Sequence, residues 1–152
     1  MTTIAADLET MASDSKVTVD AHSGTSYRAT KIVKMKHMIV GACGDGGDCS
    51  RFLEWAERDF KLPIPKWKCA PADDDSLLAL VLNKDGLHAF VQTDPAPEKM
   101  DEPFFAVGSG GKAARVAMRL GKTPEEAVLE AIAVDDHSGP PVQVLTLKDK
   151  AK

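Results

Sequence analysis

Residues 76–92 read SLLALVLNKDGLHAFVQ, two apolar runs around Asp85-Gly86, a favoured turn pair for a tight β-hairpin. Upstream, KIVKMK (31–36) and MIVGACG (38–44) make a second pair of β-rich runs, joined at Lys36-His37. TTIAAD (2–7) reads as a strand that turns at Leu8-Glu9 and returns as TMASDS (10–15). Between these pairs, Lys16 to Tyr27 reads as a short strand plus loop. Asp48 to Phe60 sets Phe52, Leu53, Trp55 and Ala56 at helical spacing, with charges between them. Lys61 to Asp75 and Thr93 to Pro103 are proline-rich and read as loops. FFAVG (104–108) reads as a short buried strand. From Gly108 the period changes, with Ala113, Val116, Ala117 and Leu120 on one helical face and Gly121 ending it. Thr123-Pro124-Glu125-Glu126 opens another helix, with Thr123 as N-cap and Glu126 closing a capping box. PVQVLTLK (141–148) is a last strand, and 149–152 a frayed tail. Segregated runs of strands and helices with antiparallel hairpins predict an α+β fold in a single domain over 1–152.

Composition narrows the function. The 152 residues are 43% hydrophobic and 28% charged, enough for a core and a soluble surface. The formal net charge of -4 argues against a nucleic-acid or anionic-membrane binder. No apolar run reaches the roughly 20 residues that span a bilayer. The acidic start, MTTIAADLETMASD, does not read as a secretory signal. Cys43, Cys49 and Cys69 have no framework spacing, which fits a reducing cytoplasm and packing roles. His22, His37, His88, His137 and the cysteines show no zinc-motif spacing, so neither a metal nor another cofactor is expected.

Four segments could carry chemistry. An N-terminal Thr2, exposed by loss of Met1, would hold a hydroxyl beside its own α-amine, whose reference pKa of about 7.7–8.0 suits a general base. GDGGD (44–48) leads into a helix, so its backbone N–H groups could bind an oxyanion or phosphate, or it could be a tight turn. GSGGK (108–112) fails as a P-loop, which needs Gly at Ala106 and Ser or Thr at Ala113. What remains there is a helix N-terminus with Ser109 near the cap, either structural or bonded to a reacting group. DDHSG (135–139) ends the second late helix. Its Asp-His-Ser sequence is no triad, because adjacent residues rarely face one another.

In this order, TTIAADLETMASDSK, RATKIVKMKHMIVGACGDGGD, AVGSGGKAARVAM, TPEEAVLEAI and DDHSG resemble the proteasome β-subunit and HslV family of self-compartmentalising threonine proteases. The likeness covers most of the chain and points to a compact bacterial or phage-type member. It implies the four-layer αββα sandwich of N-terminal-nucleophile hydrolases, with two antiparallel β-sheets. Thr2 matches the family nucleophile and base, Asp14 the carboxylate paired with a buried lysine, and Lys31 that lysine. Gly44 matches the glycine whose N–H stabilises the oxyanion. Ser109 matches the serine near the amine, and Asp135 with Ser138 the pair that orders the nucleophile's surroundings. The pocket for the residue before the scissile bond falls at Val17, Ala29, Ala42 and Gly46, small uncharged positions that imply an apolar preference. Asp45 departs from the family, which has a small neutral residue there.

The resemblance further implies acyl-enzyme hydrolysis of polypeptides in a homo-oligomeric ring of six or seven subunits, single or stacked, with an ATP-driven unfoldase as a partner. A hydrolase of the same fold acting on a small amide, and a non-catalytic scaffold subunit, are the alternatives. With Met1 attached, the Thr2 nitrogen is an amide and cannot serve as base.

Overall fold

Strand after strand in this chain is apolar on both faces, which demands that its sheets be covered twice. In the computed structural model, which describes residues 2–20 and 22–148, that demand is met by four layers. One sheet has the order β10-β1-β2-β11, from β1 (Thr3–Asp7), β2 (Thr10–Ser13), β10 (Phe104–Gly108) and β11 (Gln143–Thr146). The other has the order β5-β6-β7-β8-β9, from β5 (Ile32–Lys34), β6 (Met38–Cys43), β7 (Leu78–Asn83), β8 (Gly86–Val91) and β9 (Glu98–Lys99). Every pairing in both is antiparallel.

Alternation along the strands sorts the core into three slabs. Ile4, Ala6 and Met11 of the first sheet meet Ile39, Leu80, Leu82 and Leu87 of the second between the sheets. The opposite faces of β6, β7 and β8 present Val40, Ala79, Val81 and Phe90 to α1 (Gly46–Glu57), whose Phe52 and Trp55 are fully buried. Each such aromatic contributes about 2–3 kcal/mol on leaving water. The opposite faces of β1, β2 and β10 present the small Ala5, Ala12 and Ala106, with the half-buried Phe104 at the start of β10. On these small residues lie α2 (Gly111–Arg119) and α3 (Pro124–Val134). The αββα sandwich is thus observed, in an α+β chain. No helix among the described residues is long and apolar enough to cross a membrane.

Several elements differ from the sequence expectation, each for a local reason. The 76–92 hairpin turns one residue earlier: Asn83 pairs with Gly86, leaving Lys84-Asp85 as the two-residue loop. The Asn83 side chain accepts the Asp85 N–H at 2.8 Å, and Gly86 opens β8 at φ 127°. Residues 16–28 form a full hairpin, β3 (Lys16–Asp20) and β4 (Thr25–Arg28), where only a strand and loop were expected. β4 is exposed throughout, so it carries no buried-face pattern to read. α1 starts at Gly46 rather than Asp48, because the Asp45 side chain accepts the N–H groups of Gly47 and Asp48. It ends at Glu57, where Asp59 and Phe60 take positive φ and the chain doubles back. α2 buries Ala114, Ala117 and Met118, leaving Val116 55% and Leu120 78% exposed. The α3 capping box forms as read, in both directions. The tail 149–152 and Met1 lie outside the described residues.

Candidate active site

The β1 strand places Thr2 and Thr3 at one end of the inter-sheet core, both buried. The segment 108–111 closes over them. Gly108 has φ 95°, and a Cβ there would stand 1.7 Å from the Thr2 carbonyl oxygen. A Cβ on Gly110 would stand 2.0 Å from Thr3 Oγ1. Gly108 and Gly110 therefore serve close approach to the N-terminal strand, which a side chain would prevent. That approach puts Ser109 beside Thr2 in the wall of one cavity.

Asp14, directly after β2, is fully buried, and its carboxylate accepts four hydrogen bonds. Oδ1 takes the Thr3 N–H at 2.9 Å and Lys31 Nζ at 2.8 Å. Oδ2 takes the Lys16 N–H at 3.0 Å and the Gly139 N–H at 3.0 Å. Four donors saturate a carboxylate. Because Lys31 and the Thr3 amide share one oxygen, the ammonium is held against the Thr2–Thr3 peptide. Lys31 Nζ also donates to the Lys16 carbonyl. Burial pushes the Lys31 pKa down, and the Asp14 hydrogen bond and charge oppose that shift without cancelling it.

A second polar chain runs on the far side of Thr3. Thr3 Oγ1 and Ser138 Oγ lie 2.7 Å apart, and Ser138 Oγ donates to Asp135 Oδ2 at 2.6 Å. Ser109 Oγ donates to the same Asp135 oxygen at 2.7 Å. Burial raises the Asp135 pKa, but the hydrogen bonds from Ser138, Ser109 and the His137 N–H outweigh it and hold the carboxyl low. Asp135 therefore stays an acceptor that locks both hydroxyls.

The cavity beside Thr2 encloses about 570 Å³. Cys43, Gly44, Gln92, Gly108 and Ser109 line it with Thr2. Gly44 sits at φ 120°, with the Asp45 N–H bound to the Asp75 carbonyl at 2.8 Å. Asp45 turns its carboxylate to the α1 N-terminus and to Lys68 Nζ at 3.1 Å, so it is spent on capping and pairing. Cys43 has its thiol pushed up to about 12 by burial and is no nucleophile at neutral pH.

The sequence-derived residues thus fall into groups. Thr2, Gly44 and Ser109 share one cavity, Asp14 pairs with Lys31, and Asp135 with Ser138. None of Val17, Ala29, Ala42 and Gly46 lines that cavity. Val17 and Ala29 are half-buried at the β3–β4 hairpin, Ala42 packs toward α1, and Gly46 is exposed at the start of α1. Sequence reasoning passed over Thr3, the hub between Asp14 and Ser138, though the doubled Thr was in plain view. It also passed over Asp48, a fully buried carboxylate in α1. Among the described residues, no group of three or more His, Cys, Asp or Glu side chains could hold a metal ion.

No protein-family model matches the sequence, and a comparison with curated proteins finds no match. Solved structures do match. The eukaryotic HslV from Trypanosoma brucei superposes with a TM-score of 0.72 at 18% identity, over 95% of this chain and 98% of that one. BPH from Thiobacillus denitrificans gives a TM-score of 0.65 at 20% identity, over 98% of this chain and 99% of that one. The same BPH in complex with epoxomicin gives 0.65 at 20% identity, over 97% and 99%. The chain has, over nearly its whole length, the fold of HslV and BPH.

Proposed function

We propose that this protein is an N-terminal-threonine peptidase, with Thr2 as nucleophile once Met1 is removed. The observation that carries the reading is the buried Asp14–Lys31 pair, held against the Thr2–Thr3 peptide beside a cavity that Thr2 lines. A buried ion pair is a poor stability device, since desolvation costs about as much as the attraction returns. Beside an amine it has a use: the Lys31 cation lowers the amine's pKa and keeps part of it unprotonated near neutral pH.

In this reading the Thr2 amine takes the proton from Thr2 Oγ1 as the oxygen attacks a peptide carbonyl. Gly44 N–H receives the oxyanion, a donor type worth about 10²–10³ in rate. Collapse expels the amine product, and water then hydrolyses the Thr2 ester. Asp135 fixes Ser109 and Ser138, and through Ser138 the Thr3 side chain, so the nucleophile's neighbours do not reorganise during the reaction. Val17, Ala29, Ala42 and Gly46 lie outside the lining of the Thr2 cavity. As small uncharged positions they remain our assignment for a roomy apolar pocket that takes the side chain before the scissile bond. A peptide panel favouring acidic or basic residues at that position would count against that assignment.

The substrate is a polypeptide and the working unit a homo-oligomeric ring of six or seven copies, single or stacked, served by an ATP-driven unfoldase in the cytoplasm. Val116, Leu120, Leu129 and Val134, all exposed apolar residues of α2 and α3 and their ends, support association. The free thiols of Cys43, Cys49 and Cys69 support a reducing compartment.

The test joins mass to turnover. The active wild-type chain should lack Met1 by intact mass, hydrolyse a fluorogenic peptide and gain the mass of epoxomicin. Thr2→Ala should lose at least about 10³-fold in hydrolysis and all labelling, with its oligomeric mass unchanged. Activity retained in Thr2→Ala, or full activity with Met1 in place, would defeat the proposal.

A further inference from the structure

The Asp48 carboxylate has no exposure to solvent, yet among the described residues its one cationic partner, Arg51, keeps 45% of its side chain exposed. Burying a charge at that level is costly unless it is fully hydrogen-bonded. Its remaining bonds go to the backbone of a distant loop. Asp48 Oδ1 accepts the Lys68 N–H at 2.8 Å as well as Arg51 Nη1 at 2.9 Å, and Oδ2 accepts the Cys69 N–H at 3.0 Å. The loop is pinned again from the end of β8, in the sheet that α1 covers. Gln92 Nε2 donates to the Cys69 carbonyl at 2.6 Å, and Gln92 Oε1 accepts the Leu77 N–H.

These ties hold the stretch 68–77 at both ends, and its last turn carries the Asp75 and Ser76 carbonyls. The Asp75 carbonyl accepts the Asp45 N–H at 2.8 Å. A Cβ at Gly44 would meet the Asp75 and Ser76 carbonyl oxygens at 2.8 and 2.7 Å, so the loop backbone presses on Gly44 itself. The peptide after Gly44 is thus clamped by the loop. The peptide before it, which bears the Gly44 N–H, follows β6, whose Cys43 pairs with Leu78. An unpinned loop would free Gly44 to rotate, and a donor that moves by about 1 Å forfeits on the order of 10²-fold in rate.

We infer that Asp48 is a positioning residue for the Gly44 N–H, acting through the 68–77 loop. The inference rests on the proposed threonine-peptidase reading. It implies that Asp48 matters where charge develops in the transition state and little where substrate is bound.

The experiment uses the full chain and counts active sites by saturating epoxomicin labelling, then measures kcat per labelled site and KM on one peptide. Asp48→Asn presents an NH2 group to one of the loop N–H donors and so releases one tie. The expected result is an unchanged labelled fraction, KM within about twofold, and kcat per labelled site lower by about 10- to 100-fold. Damage to the fold alone would reduce the labelled fraction and leave turnover per labelled site intact, and that result overturns the inference. A raised KM with unchanged kcat overturns it too. Should Asp48→Asn fail to melt cooperatively, Gln92→Glu reads the same clamp from the other side. It keeps the acceptor for Leu77 and sets an oxygen against the Cys69 carbonyl. The expected loss there is about 3- to 10-fold in kcat per labelled site, and no loss overturns the inference. A wild-type chain that neither labels nor turns over would instead defeat the parent reading, and this one with it.

Discussion

Two glycine-rich connections, GDGGD at 44–48 and GSGGK at 108–112, each lead from a strand into a helix and flank Thr2 from opposite sheets. They look alike in sequence and obey different physics. In the first, only Gly44 is forced, by positive φ and two loop carbonyls, while Gly46 has open space around its Cβ position. Its helix is capped by a side chain, Asp45. In the second, Gly108 and Gly110 are forced by contact with Thr2 and Thr3, and the helix has no side-chain cap. The first loop is tuned by a distant loop and the second by the N-terminal strand itself. Gly44 and Gly108 both sit at positive φ against a neighbouring backbone, and what differs is the segment that presses on each.

The largest effect should come from the second loop. Gly108→Ala would need a Cβ 1.7 Å from the Thr2 carbonyl oxygen at φ 95°, so β1 and β10 must part where Thr3 pairs with Gly108. We expect a loss of about 3 kcal/mol or more in stability, read by chemical denaturation. A loss under about 1 kcal/mol would show that the N-terminal strand is not tightly held. Gly44→Ala comes next. Strain at φ 120° and contacts at 2.7 and 2.8 Å with Ser76 and Asp75 carbonyls predict about 1–3 kcal/mol. Here the loop can give way, so turnover should suffer more than stability.

Asp45→Ala separates capping from catalysis. Removing the acceptor for the Gly47 and Asp48 N–H groups should cost about 1 kcal/mol. Because the carboxylate serves the cap and Lys68 rather than the cavity, kcat should stay within about twofold. A several-fold rise in kcat would show that the charge opposes the oxyanion after all.

The strand and helix runs carried the α+β class, and the four-layer plan came from the resemblance; runs such as 38–43 and 78–83 fit it, being buried on both faces. Thr123 and Glu126 marked the start of α3 to the residue, since a capping box is a local interaction. Local chemistry also explains the failures. Gly86 was taken as a turn centre because Asp-Gly is a common pair, but the Asn83 side chain closes the turn one residue sooner. The α2 face was read as Ala113, Val116, Ala117 and Leu120; Ala113 and Ala117 do pack inward, but Val116 and Leu120 are exposed. The layer beneath presents the small Ala5, Ala12 and Ala106, against which α2 sets Ala114, Ala117 and Met118. Small residues carry little hydropathy contrast, so that face was legible only in part. In the candidate site, Thr2 was legible from its own chemistry while Asp14 and Lys31 arrived by resemblance, and the geometry joins those two through one oxygen that Thr3 also uses. The Asp48 clamp was illegible, because its partners are backbone groups twenty or more positions away.

The smallest effect is the one that most sharply divides the two loops. Gly46 opens α1, is exposed, and a Cβ there meets nothing within 4 Å. Gly46→Ala should therefore stabilise the protein by about 0.5 kcal/mol, by removing backbone freedom from the unfolded chain. The same Cβ would project from a position assigned to the pocket that receives the residue before the scissile bond. If that assignment holds, KM for peptides with a bulky side chain there should rise several-fold while small ones are unaffected. Thermal stability and KM thus answer different questions in one variant. A stabilised enzyme with an unchanged peptide profile would mean that Gly46 belongs to the helix alone, and that specificity is set within the cavity of Gln92 and Cys43.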